Sequence, residues 1–191
     1  AYNIQKAAEI DPENMWYTQE LAYMFFEMEE YQKAVDNFKK LVDKEPRNID
    51  WLYGYAEALV KNNEVSKAIE ALNKTEEQVG TYPELSIQKY KLFMSIGKES
   101  MALLELENCK IKYPKSPQLI ATLVDHYFRK NDITKAVDML MDLVDVDPTN
   151  GRARMALADV YRQQGELELA YEQLLVAIPS EDVDLDSKMR I

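Results

Sequence analysis

The sequence contains one cysteine, Cys109, among 191 residues, so no disulfide can form within the chain. A reducing cytosol and a disulfide-poor bacterial periplasm or envelope both stay open. Five glycines and seven prolines exclude collagen-like and low-complexity classes. They also leave no glycine-rich loop to cradle a phosphate. His126 is the only histidine, so any Ser–His or Cys–His pair would have to use it. No His/Cys cluster has metal-ligand spacing. No apolar run approaches the ~20 residues that span a bilayer, and no basic stretch followed by an apolar one marks a signal peptide. Positive charge is short as well: 23 Lys and Arg stand against 34 Asp and Glu, a net charge of −11. Such a chain repels phosphate backbones and anionic membranes. No nucleic acid, cofactor or metal is expected as a partner, and no catalytic constellation is visible.

What is present is a period. Ala34, Ala68, Ala102, Ala136 and Ala170 are spaced by 34 residues. Four positions after each comes Phe38, Leu72, Leu106, Leu140 or Leu174. Twelve positions after the first four come Pro46, Gly80, Pro114 and Pro148, each able to end a helix. A fixed period of this kind marks a stacked repeat array. Each unit offers two amphipathic helices. Leu21, Ala22, Phe25 and Met28 stripe the first, and Ala34, Phe38, Leu41 and Val42 the second. The alanines let two antiparallel helices approach to ~8–10 Å. Turns are expected at Glu29-Glu30, Asn62-Asn63, Gly97, Asn131-Asp132 and Gly165, the last four with residues that tolerate a left-handed helix end. Ser66, Ser100 and Thr134 are expected to cap the helices that follow.

The units divide the chain as 15–48, 49–82, 83–116, 117–150 and 151–178. Residues 1–14 read as the second helix of an incomplete repeat, with Tyr2, Ile4, Ala7 and Ala8 on its apolar face and Asp11-Pro12 closing it. Pro179 should stop the last helix near Ile178. Residues 179–191 read as an acidic linker or the start of a truncated repeat. The chain is therefore expected to be a piece of a longer or processed protein.

These positions resemble the tetratricopeptide repeat, a 34-residue helix–turn–helix unit. Leu21-Ala22, Phe25, Ala34, Phe38 and Pro46 carry the match in the first unit; Leu157-Ala158, Tyr161, Gly165, Ala170 and Leu174 carry it in the fifth. About five and a half units are covered. Gly80 replaces one proline, and Lys89 and Tyr90 stand where a leucine and a small residue belong. A tyrosine at that close contact should splay the third pair or force a local shift. The large residue usual near the start of the first helix is replaced by Thr18, Leu52, Ser86, Ile120 and Arg154, with Trp16 and Trp51 close by. The resemblance implies an all-α, right-handed superhelical solenoid of antiparallel helix pairs. It also implies a concave groove lined mainly by first helices, and a scaffold role toward a protein or peptide partner. A subtype of the family clamps a terminal carboxylate with lysine and asparagine. Here Gln19, Tyr23, Tyr53 and Glu57 occupy those places, so that role is not expected.

If first helices line the groove, the candidate partner-binding residues are Gln19, Tyr23, Phe26, Tyr53, Glu57, Ile87, Lys91, Met94, Asp125, Phe128, Arg129, Arg152, Met155, Asp159 and Arg162. Tyrosine, phenylalanine, methionine and arginine dominate interface energetics. His126 is expected to be a partly exposed helix residue. Cys109 falls where other units place Leu41, Thr75, Leu143 and Ala177, so core packing is expected of it. The nine methionines read as gap-filling core. Two other readings stand beside the scaffold. One is a structural helical domain of a larger envelope or assembly protein whose groove is filled intramolecularly. The other is a carbohydrate-binding module using Trp16, Trp51 and tyrosines as platforms.

Overall fold

The computed structural model describes residues 4, 6, 7, 10, 11 and 13–189, with Ser187 described for its backbone alone. Tyr2, Ala8 and Pro12 of the expected N-terminal helix lie outside the described residues; Ile4, Lys6, Ala7 and Ile10 are helical. The elements that follow are α1 (Met15–Glu27), α2 (Tyr31–Lys44), α3 (Ile49–Lys61), α4 (Val65–Val79), α5 (Pro83–Ser95), α6 (Glu99–Lys112), α7 (Pro117–Arg129), α8 (Ile133–Val146), α9 (Gly151–Gln164), α10 (Leu167–Ala177) and the short α11 (Leu185–Met189). No strand occurs among the described residues.

The turns inside the pairs follow the period. Glu29, Asn63, Gly97, Asn131 and Gly165 all have positive φ, between 55° and 83°. One left-handed residue suffices to end a helix and reverse the chain. Because the reversal is so short, the next helix starts sooner than expected. Glu64 and Asp132 take the N-cap positions of α4 and α8, and the Asp132 carboxylate accepts from the Lys135 N–H at 3.2 Å. Ser66, Ser100 and Thr134 already lie within the first turns of α4, α6 and α8, so the expectation that they cap those helices is corrected. The first helices have caps of their own. Asn14, Asn48 and Asn150 accept from the N–H groups of Trp16, Trp51 and Ala153 at 3.1, 3.3 and 2.9 Å. Pro83 and Pro117 open α5 and α7 instead, where a missing N–H costs nothing.

The chain divides into two compact units, Ala1–Ala102 and Leu103–Ile191, and the division falls inside α6. In the first unit Leu21, Ala22, Phe25, Ala34, Phe38, Leu41, Leu52, Ala56, Leu59, Ala68, Leu72 and Leu85 form one buried cluster. In the second, Ile120, Val124, Leu140, Leu143, Ala153 and Leu157 do the same. Helix α10 ends at Ala177, as Pro179 requires.

The third repeat departs as its sequence does, and the unit division falls within it. Tyr90 is fully enclosed, and Lys89 is buried at 4% exposure. Its ammonium lies 2.7 Å from the Glu76 carboxylate of α4, which also accepts from the Thr81 hydroxyl at 2.6 Å. A buried charge survives only when paired in this way.

Close approach of α3 to α2 depends on Gly54. A Cβ placed there would lie 2.5 Å from Phe38 Cε1 and 2.6 Å from its Cζ. Phe38 is walled in and cannot yield. Gly54→Ala is expected to destabilise the protein by about 1–3 kcal/mol through overpacking, read from urea denaturation followed by far-ultraviolet circular dichroism.

Candidate functional site

In the first unit the candidate residues fall on α1, α3 and α5. Tyr23 remains 41% exposed while its ring sits edge-on to Phe38, with centroids 5.1 Å apart. Phe26 is half-buried and packs edge-on to Tyr31 at 5.6 Å. Such T-shaped contacts fix a ring without covering all of it. Gln19 accepts a hydrogen bond from Trp51 Nε1 at 2.8 Å, so it positions α1 against α3. Trp51 is buried, which removes it as a sugar platform; Trp16 is exposed.

Tyr53, Glu57 and Val60 of α3 line a cavity of about 360 Å³ with Ala56, Gln88 and Leu92. Glu57 is exposed. The Tyr53 hydroxyl is buried and makes no hydrogen bond among the described residues, and the same holds for Tyr82. Burial, then the neighbouring Tyr82 and Glu84, hold the Tyr53 hydroxyl far above the usual tyrosine range. Burial, then Asp50, raise that of Tyr23. Ile87 and Met94 are half-buried and Lys91 is exposed. Sequence reasoning missed Asp50, Glu84, Gln88 and Leu92. Asp50 and Glu84 were detectable: they lie 34 residues apart, at the head of α3 and α5.

In the second unit, partners within the chain occupy several candidates. Arg162 pairs with Asp159 at 2.8 Å. Arg129 Nε donates to the Asp125 carbonyl at 3.4 Å. Phe128 packs against the core and Met155 is half-buried. Arg152 Nε donates to the Asp182 carbonyl at 2.8 Å. The acidic segment after α10 is thus more than a linker. The Asp182 carboxylate accepts from the Gly151 and Arg152 N–H groups, both at 3.2 Å, at the N-terminus of α9. Val183 is buried beside it. A side chain on Gly151 would collide with Asp182, Ser180 and Val183. An anion at a helix N-terminus meets free N–H groups and the positive end of the dipole.

His126 corrects the expectation of partial exposure. It is buried at 3%, edge-on to Tyr127 with centroids 5.5 Å apart. It stands on the core side of α7, next to the Tyr127 whose hydroxyl donates to Glu107 at 3.1 Å. Cys109 is buried. Among the described residues no group of three His, Cys, Asp or Glu is placed to hold a metal. No helix among them is long and apolar enough to cross a membrane.

Two sequence profiles described as tetratricopeptide repeat match residues 25–86 and 122–182. The chain is 21% identical over 192 residues to the BBSome complex member BBS4 homolog of Drosophila melanogaster, covering 93% of this chain and 40% of that protein. It is 27% identical over 187 residues to cellulose synthase operon protein C of Pseudomonas fluorescens (strain SBW25), covering 90% of this chain and 14% of that protein. The chain thus spans less than half the length of these curated relatives. Among solved structures it is similar to PilW, a type IV pilus biogenesis factor, with a TM-score of 0.65 at 14% identity over 98% of this chain and 87% of that one. It is similar also to MamA from Desulfovibrio magneticus RS-1, with a TM-score of 0.59 at 17% identity over 88% and 97%. YrrB, a TPR protein with an unusual peptide-binding site, gives 0.58 at 16% over 98% and 96%. These likenesses establish a shared all-helical repeat fold.

The Asp182 contact gives a pH dependence. A hydrogen bond from Ser180, then those from the Arg152 and Gly151 N–H groups, lower its carboxyl below the ordinary value of 3.8. A depressed folded pKa contributes stability above the unfolded value and loses it as pH falls through the folded one. The Gly151 amide resonance is expected to titrate with a midpoint below 3.8, and Asp182→Asn is expected to abolish that step.

Proposed function

Because the chain belongs to the tetratricopeptide repeat family, we propose that it is a non-catalytic scaffold holding a peptide or a segment of a partner protein against a groove formed by its first helices. On this reading the repeats are 15–48, 49–82, 83–116, 117–150 and 151–178. The binding face is centred in the first unit, on Tyr23, Phe26, Tyr53, Glu57, Ile87, Lys91 and Met94. The observation that carries it is the exposure of Tyr23, a large ring held edge-on to Phe38 and open on its other side. A ring fixed in advance loses little freedom when a partner covers it, which is how a rigid surface gains affinity. The second-unit candidates Asp125, Phe128, Arg129, Arg152, Met155, Asp159 and Arg162 contribute less on this reading. Arg152, Asp159 and Arg162 already hold each other or the Asp182 segment.

Peptides selected from a random library on the whole protein provide the test. Replacing Tyr23 and Phe26 by Ala is expected to weaken their binding by about 30-fold or more, the scale of a lost hot spot of about 2 kcal/mol. Circular dichroism of the double variant checks that the helices remain. Undiminished binding by a folded double variant contradicts the reading.

A further inference from the structure

We infer that the cavity between α3 and α5 in the first unit is an arginine-reading pocket, so that the segment held on this face is a basic one. The inference rests on the groove reading above and specifies its chemistry.

Several acidic groups of this unit have a cation beside them: Glu30 has Lys33, Asp43 has Lys39, Glu64 has Lys67 and Glu76 has Lys89. Those on the faces of α3 and α5 do not. Asp50, Glu57 and Glu84 are all exposed, and among the described residues none of their carboxylates has an ion-pair partner. Lys91 of α5, the candidate cation on this face, pairs with none of them. Asp50, Tyr53 and Glu57 stand at i, i+3 and i+7 on α3, one side of that helix. Asp50 is close enough to act on Tyr23, and Glu84 on Tyr53 and Tyr82. The surface therefore alternates aromatic rings with unneutralised carboxylates.

The cavity beside them has two kinds of wall. Ala56, Val60, Leu72 and Leu92 are apolar, Tyr53 adds an aromatic ring, and Glu57 and Gln88 bring polar atoms. Its volume of about 360 Å³ is at the small end for ligand sites, suited to one long side chain rather than a whole ligand. An arginine or lysine stem covers apolar surface while its head stays polar. Arginine fits better, because a planar guanidinium stacks on tyrosine and forks onto a carboxylate. A guanidinium only donates hydrogen bonds, and the Glu57 carboxylate and the Gln88 amide oxygen can each accept one. An anionic side chain would meet Glu57, Asp50 and Glu84 together.

The test uses the whole protein and four immobilised twelve-residue peptides that differ at one central position: arginine, lysine, citrulline or glutamate, in a constant leucine- and serine-containing frame. Arginine is expected to bind about tenfold tighter than citrulline, its neutral isostere, the size of one charge-assisted hydrogen bond. Lysine should fall between them and glutamate should be weakest. Added salt should narrow the arginine–citrulline gap. Glu57→Gln, at an exposed position, should close the same gap by lowering arginine binding toward the citrulline level. Equal binding of arginine and citrulline, or a gap that survives Glu57→Gln, overturns the arginine pocket while the groove reading stands. Failure of all four peptides, together with failure of the library to yield any binder, overturns both.

Discussion

The column of small residues on the second helices is the constraint from which the rest follows. Ala34, Ala68, Ala102 and Ala136 are wholly buried and Ala170 nearly so. A small side chain at a buried helix contact lets two axes approach to ~8–10 Å. With the helices that close, Phe38, Leu72 and Leu140 reach full burial. Full burial of each such side chain is worth about 1.5–3 kcal/mol. Gly54 is the extreme of the same demand, since it removes even the methyl where the Phe38 ring arrives.

Close pairing decides what remains for function. Some charges of the second helices are held by pairs, as in Lys39–Asp43 within α2 and Glu76 of α4 with the buried Lys89 of α5. The hollow between α2 and α4, about 340 Å³, is rimmed by the paired Lys39, Asp43 and Lys67 together with Glu70 and Lys74. The first helices of the same unit keep Tyr23, Asp50, Glu57 and Glu84 unspent. A surface that can bind keeps polar groups unsatisfied beside exposed rings, and that combination gives the first-helix face its proposed role.

Much of this was legible in the residues. The period gave the helices and the left-handed turns at Asn63, Gly97, Asn131 and Gly165, because a repeated alanine and a repeated breaker each have one physical use. Glu29 takes the same backbone conformation without the chemistry that favours it, so only the period marked it. The asparagine caps at Asn14, Asn48 and Asn150 lay in plain view, again 34 residues apart for the first two. They were overshadowed by Ser66 and Thr134, which sit two residues past the caps. His126 and Lys89 were harder to place. Polar side chains usually mark the outer face of a helix, and both lie inside: Glu76 of α4 receives Lys89, and His126 packs edge-on to Tyr127. The Asp182 contact joins residues 30 or more apart in sequence, and an acidic run alone gives no hint of a helix terminus to receive it. The cavity was half seen, since helical spacing identified Tyr53 and Glu57 while Gln88 and Leu92 come from the neighbouring helix, whose rotation periodicity does not supply.

The direct measurement is the unfolding free energy of Ala68→Leu in the whole chain, against the wild type, by urea denaturation. Three added carbons at the tightest point of the α3–α4 pair should lower stability by about 1–3 kcal/mol, with helical content kept below the transition. An unchanged or raised midpoint would mean that the alanine column does not set the helix spacing, and the account of how this fold forms and presents its binding face would be wrong.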